Sequence, residues 1–224
     1  MSQKSFIKKH LSWNKSATFL VDAQQGFTPL CRNELPVPEG DLIVAECIAT
    51  FERTKFKVAS KDAHPSNASW LAKDKNNIGT PTITFLSPQM DLYWPKHCVV
   101  GTPGFNLIPG LPPIEDFDFI IYKGVERYIH PYSAVYHLLT PNSKSNRIST
   151  GVIEFFKAKG ITTVVIVGLA TNYCCAGTAI DLVKAEFHVI MNLGGCRGIG
   201  DTNPAIDNMK YHGVEFVYSA AELK

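Results

Sequence analysis

The chain has 224 residues, 45% hydrophobic and 19% charged, with a formal net charge of +2; that is enough for one domain with a sizeable core, and no single-sign block suggests a nucleic-acid groove or an acidic partner. No apolar run reaches the roughly 18 residues that span a membrane, and the basic opening MSQKSFIKKHLSWNKS lacks the apolar centre of a secretory signal. Six cysteines do not make a disulfide scaffold at this length, so the thiols are expected reduced and the protein cytoplasmic.

A polar arm over residues 1–16 precedes what reads as a single domain. The apolar run Ala17–Val21 predicts a first strand and ends at Asp22. A helix over Asp41–Thr54 follows Pro38-Glu39-Gly40, and a second strand, Phe56–Ala59, leads to Asp62 and His64. The segment Trp70–Val100, rich in Pro, Asn, Ser and aromatics, reads as a long loop, and loops of that length in compact domains are usually functional. A third strand, Phe117–Tyr122, runs into Lys123 and a second long loop, Gly124–Asn146. Next come a helix over Arg147–Gly160, closed by a lysine and a glycine, and a strand over Thr162–Val167. A helix over Asn172–Glu186 opens with the adjacent thiols Cys174 and Cys175. A strand over Phe187–Met191, a glycine-rich turn over Leu193–Gly200, a helix over Asn203–Gly213 with proline in its first turn, and a strand over Val214–Val217 complete the chain. The strands read as continuous apolar runs, as strands buried on both faces do. Alternating with helices, they imply an α/β fold with an open, mostly parallel, doubly wound sheet.

In such sheets ligands bind beyond the carboxyl ends of the strands. Asp22, the Asp62/His64 pair, Lys123 and Cys174/Cys175 all stand at that edge. Each alone has an ordinary explanation as a cap, a turn or a solvated strand end; four on one rim do not. The helix beginning at Cys174, capped by Thr171 or Asn172, and the nearby Lys123 would favour a thiolate, with Asp22 as general base. If Ala176, Ile180, Val183 and Phe187 face the sheet, Cys174 points to the rim and Cys175 lies on the flank of the buried stripe; this mildly prefers Cys174 as nucleophile. Asp62 and His64, two apart, can face one divalent ion of zinc, iron or manganese type, and His97 has the best setting for a third ligand. His130 and His137, in the second long loop, could line the pocket. His10, His188 and His212 are weaker candidates, and Cys31, Cys47, Cys98 and Cys196 read as structural thiols.

The stretches VDAQQGF, LPVPEGD, ASKDAHP, YWPKHCVVGTPG, YKG with YSA, VGLATNYC and GCRG occur in an order that resembles the nicotinamidases of the isochorismatase-like cysteine hydrolases. The resemblance implies hydrolysis of nicotinamide to nicotinate and ammonia through a thioester, with Asp22, Lys123 and Cys174 as the catalytic set. It implies Asp62, His64 and His97 as ligands of one divalent metal, zinc first among the candidates, with Ser69 near a metal-bound water. It also implies a cis Leu169–Ala170 bond, an oxyanion hole of the Ala170 and Cys174 N–H groups, and Phe27, Trp70 and Tyr132 around the pyridine ring. Relatives often form dimers or larger assemblies, which leaves a homo-oligomer open. Ala63, Cys175 and Val135 depart from the common tryptophan, valine and aromatic. These departures bear on pocket shape, so another small amide, pyrazinamide or a carbamoyl compound, is the alternative substrate. A silent binding module is the reading from a different class, and the intact catalytic set argues against it.

Overall fold

The computed structural model describes residues 11–82, 92–138 and 147–224. Eight strands appear in it: β1 Ser16–Val21, β2 Phe56–Asp62, β3 Phe119–Lys123, β4 Tyr136–Leu138, β5 Arg147–Ser149, β6 Thr163–Leu169, β7 His188–Arg197 and β8 Glu215–Val217. Six form one sheet in the order β3-β2-β1-β6-β7-β8, with every neighbouring pair parallel. The four α-helices among the described residues are α1 Val44–Phe51, α2 Val152–Ala158, α3 Ala176–Lys184 and α4 Asn203–Tyr211. The expected doubly wound α/β architecture is present.

Alternation along the strands explains how both faces are covered. Side chains of successive strand residues point to opposite faces. Ala17, Phe19 and Val21 therefore join Phe156 of α2, Leu182 of α3 and Met209 of α4 in one core. Leu20 and Ala59 join Cys47 and Phe51 of α1 in the other. β1 lies centrally and all six of its residues are buried. Full burial of a side chain such as Phe19 or Phe156 contributes about 1.5–3 kcal/mol.

Three helices end alike. At α2 the Gly160 N–H donates to the Lys157 carbonyl and the Ile161 N–H to that of Phe156; Gly213 and Val214 repeat this after α4, and Glu186 and Phe187 after α3. This paired closure satisfies carbonyls that the helix itself leaves open.

Several boundaries differ from the sequence reading. Arg147–Ser149 does not start a helix; it pairs antiparallel with Tyr136–Leu138, so the second long loop contributes a short strand, which includes His137, to a two-stranded ladder. Residues 139–146, 83–91 of the first long loop, and 1–10 of the arm, with His10, lie outside the described residues. β7 continues to Arg197, so most of the glycine-rich turn is strand. A Cβ on Gly194 would come within 2.4 Å of the Tyr218 carbonyl oxygen, so the glycine there permits close passage of two chain segments and does not mark a turn. The buried stripe of α3 runs through Ala179 and Leu182, with Cys175 just ahead of it. Ile180 and Val183 are only partly buried. Of the four residues expected to face the sheet, Ala176 and Phe187 are buried, while Ala179 and Leu182 take the places expected for Ile180 and Val183.

Candidate active site

The strand register assembles the rim. Asp62 and Lys123 are direct partners across β2 and β3. Asp22 follows β1, and its N–H donates to the Ser60 carbonyl of β2. Its φ of +45° is left-handed, a region that aspartate tolerates better than most residues. Asp62 is fixed by Gln24, whose amide donates to the Asp62 carbonyl at 2.9 Å and accepts from its N–H at 2.7 Å. Beyond β6, the Leu169–Ala170 bond is cis, and Thr171–Cys175 forms one π-helical turn before α3. Such turns recur at functional sites. Neither Thr171 nor Asn172 caps the helix; the Asn172 side chain instead bonds the backbone of Ile199 on both sides.

The four groups meet around Lys123. Its Nζ lies 2.9 Å from Asp22 Oδ2 and 2.5 Å from Asp62 Oδ1. It also donates to Cys174 Sγ at 3.4 Å and to the Pro131 carbonyl at 3.3 Å. Ligand atoms of Asp22, Asp62 and Cys174 lie within 4.8 Å of one another, and Ser60 Oγ donates to Asp22 Oδ1 at 2.7 Å. All of these residues are buried. Cys175 is also buried, among the core residues on the sheet side of α3.

Burial sets the protonation states. It opposes charge on Lys123, but Asp22 and Asp62 more than compensate and hold the ammonium well above its ordinary value. Asp62 is held well below the carboxylate range, because Lys123 and His64 outweigh its burial. Asp22 is raised by burial, with Lys123 opposing. Cys174 is raised well above an ordinary thiol, first by burial, which Lys123 offsets only in part. The sequence reading expected the helix start and Lys123 to favour a thiolate; burial works against that, because taking a charge out of water is costly and Lys123 offsets it only in part.

Next to this set is a group of imidazoles. Ligating nitrogens of His64, His97 and His130 lie within 4.8 Å of one another, and Asp62 Oδ2 is 3.3 Å from His64 Nε2. His64 Nδ1 contacts the Gly124 carbonyl at 3.0 Å and His97 Nδ1 that of Pro95 at 2.7 Å. Backbone contacts of this kind orient metal-binding histidines. Asp62 Oδ2, His64 Nε2 and both nitrogens of His130 are buried without a hydrogen-bond partner among the described residues. Orphaned donors of carboxylate and imidazole type fit a divalent cation. Burial also pushes His97 down to about 3, so its ring is neutral, as a ligand must be.

Gly124 makes this arrangement possible. Its φ is +69°, and a Cβ there would lie 2.4 Å from His64 Cε1 and 2.6 Å from Nδ1. Gly124→Ala is therefore expected to rotate His64 and weaken divalent-metal binding about 10–100-fold, read by chelator competition; unchanged affinity would show that His64 is not held by this contact.

The pocket above Cys174 is small, about 260 Å³ with space open to solvent included, and is lined by Phe27, Tyr132, Ala170 and Ile199, among others. That volume leaves no room for a nucleotide. Trp70 is not in its wall. That ring is fully buried behind the imidazoles, with centroids 4.6 Å from His64 and 4.5 Å from His130. Trp94 and Tyr173 line the wall instead; sequence reasoning missed both, although Tyr173 adjoins Cys174. Ser69 is exposed, and its hydroxyl donates to the Arg127 carbonyl. His188 and His212 are far from this chemistry in character: His188 is exposed beside Glu215, and His212 contacts the Asn208 carbonyl.

Architecture and site together define an α/β enzyme built round a buried thiol, with an adjoining group of metal-binding type. The chain belongs to the Isochorismatase domain family, whose profile matches residues 16–221. A similar protein is the nicotinamidase of Acinetobacter baylyi, 36% identical over 213 residues, which span 92% of this chain and 94% of that one. Among solved structures, a nicotinamidase/pyrazinamidase of Acinetobacter baumanii superposes with a TM-score of 0.77 at 30% identity, covering 95% of this chain and 99% of the other. The pyrazinamidase of Pyrococcus horikoshii, solved with zinc, superposes with a TM-score of 0.68 at 29% identity, covering 91% and 98%. No helix among the described residues is long and apolar enough to cross a membrane.

Proposed function

We propose that this protein is a metal-dependent amidase that hydrolyses nicotinamide to nicotinate and ammonia. The observation that carries the reading is that Lys123 is shared between Asp22 and Cys174 beneath a small pocket lined by aromatic rings. Asp62, His64 and His97 would hold the metal, zinc in our reading. Bound there, it supplies a Lewis-acid contact for the pyridine nitrogen. Phe27 and Tyr132 flank the ring, with Trp94 and Tyr173 completing the wall; Trp70 supports the imidazoles from behind.

Chemistry begins with transfer of the Cys174 proton to Asp22. Burial raises Asp22, which makes its carboxylate a stronger base towards the thiol. Lys123 stabilises the sulfur as charge develops. A bond forms between Sγ and the carboxamide carbon, and the N–H groups of Ala170 and Cys174 receive the oxyanion, at about 3 kcal/mol per donor. Asp22 gives its proton to the departing nitrogen, the C–N bond breaks, and ammonia leaves. Water then adds to the thioester carbon while Asp22 accepts its proton. The C–S bond breaks, Cys174 recovers its proton, and nicotinate is released.

We place the protein in the cytoplasm: all six cysteines are free, as in a reducing compartment. The test is ammonia release from nicotinamide by zinc-replete protein, with one nicotinate per ammonia. Activity should fall at least about 100-fold on chelation and return with zinc. No release from the replete protein would eliminate nicotinamide as substrate, and turnover of pyrazinamide alone would favour the small-amide alternative.

A further inference from the structure

His130 has no part in the chemistry just described, yet it is placed as though it had one. It is 4% exposed, and neither ring nitrogen has a hydrogen-bond partner among the described residues. A buried imidazole with both nitrogens unsatisfied is costly unless something else occupies them. Its surroundings are mostly aromatic: Trp70 and Tyr132 pack edge-on at 4.5 and 5.2 Å, and Trp94 stacks at 6.1 Å. His64 and His97 are also adjacent, with ligating nitrogens within 4.8 Å of its own.

We propose that His130 is a direct protein ligand of the metal, so that the centre consists of three imidazoles and Asp62. This rests on the metal-dependent reading above and extends it. Ring separations support it. Imidazoles on one ion, with metal–nitrogen bonds of about 2.0 Å and angles of roughly 90–120°, have centroids roughly 4.5–5.5 Å apart. The pairs His64–His97 and His64–His130, at 4.8 and 5.2 Å, fall within that range, and His97–His130, at 5.8 Å, lies just beyond it. His64 and His97 each rest one nitrogen on a backbone carbonyl and leave the other for a ligand, while His130 offers either.

The loop is held in place for this role. The Ser69 N–H and hydroxyl both donate to the Arg127 carbonyl, Arg127 Nε donates to the Asn67 carbonyl at 3.0 Å, and Lys123 Nζ donates to that of Pro131. His130 thus lies between two anchored points. A third imidazole makes the donor set richer in nitrogen, which favours zinc or cobalt over manganese, and it takes a position otherwise open to water.

The experiment is zinc competition against a chromophoric chelator, using metal-free full-length protein, His130→Ala, His130→Phe and His97→Ala. His130→Phe keeps a ring in the space and removes the donors. Both His130 variants should bind zinc at least about tenfold more weakly than the parent, with His97→Ala weakened further. Zinc affinity of His130→Phe within twofold of the parent overturns the proposal and makes His130 a wall residue. If His97→Ala also binds like the parent, the metal reading itself fails. The unaltered protein gives an independent count: loaded with Co(II), it should show three paramagnetically shifted, exchangeable imidazole N–H resonances, and two would overturn the proposal.

Discussion

Cys174→Ala is expected to reduce ammonia release from nicotinamide by about 10⁴-fold or more, the scale on which nucleophile deletions act. Cys175→Ala is expected to stay within a few-fold of the parent. Only Cys174 faces Lys123 Nζ, at 3.4 Å, and only Cys174 of the two lines the pocket. Cys175 is packed with Ala179 and Leu182 in the core, so its truncation should cost about 1–2 kcal/mol of stability. Kinetics and urea unfolding of both variants separate the two roles. Activity lost with Cys175→Ala but kept with Cys174→Ala would reverse the assignment.

The second large effect concerns Lys123. Its ammonium is the only cation the structure places between Asp22 and Asp62 among the described residues. Lys123→Met leaves two buried carboxylates facing each other without it, and removing one partner of a buried ionic set typically costs about 3–5 kcal/mol. The loss should depend on pH in a stated direction. In the parent, Asp62 is held well below its ordinary range, so its contribution is present above the unfolded value and fades as pH falls through the folded one. In the variant the carboxylates are raised, so their penalty is full at neutral pH and disappears as acid protonates them. The parent and variant stability curves should therefore converge as pH falls from 7 towards 4. Denaturant unfolding of the metal-free proteins across that range measures it; a pH-independent gap would mean that the loss is one of packing. Activity should be lost as well, since the developing thiolate would have no counter-charge.

Much of the site was legible because parallel α/β sheets place functional groups at or just beyond the carboxyl ends of their strands. Asp22, Asp62, His64, Lys123 and Cys174 could be found by reading the residues that follow apolar runs, and the structure brings all five together. His97 was found by its loop setting, and a parallel bridge between His64 and Val99 is what delivers it. The cis Leu169–Ala170 bond was implied by the family resemblance and is present. Less legible was anything that depends on how a loop folds back. Trp70 looked like a substrate-facing aromatic; Trp94 and Tyr173 face the pocket, because the loop that carries Trp70 turns its ring behind the imidazoles. The resemblance placed Ser69 near a metal-bound water; what the fold shows of it is a hydroxyl that donates to the Arg127 carbonyl.

The sequence by itself determined the sheet, the order of chemical groups along its edge and the kind of reaction they suit. Apolar periodicity and the residues that follow it are local properties, written in consecutive positions. Only the tertiary structure decided the burial of Cys174, which opposes its ionisation, and the company of His130. A thiol at a helix start beside a lysine reads as a thiolate until its burial is known, and burial is a sum over distant segments that no local pattern contains. His130 lies seven residues past Lys123 with no motif to mark it. It acquires meaning only because Gly124 turns the chain back over His64, and because the loop from Gly124 to Pro131 is fastened at both ends.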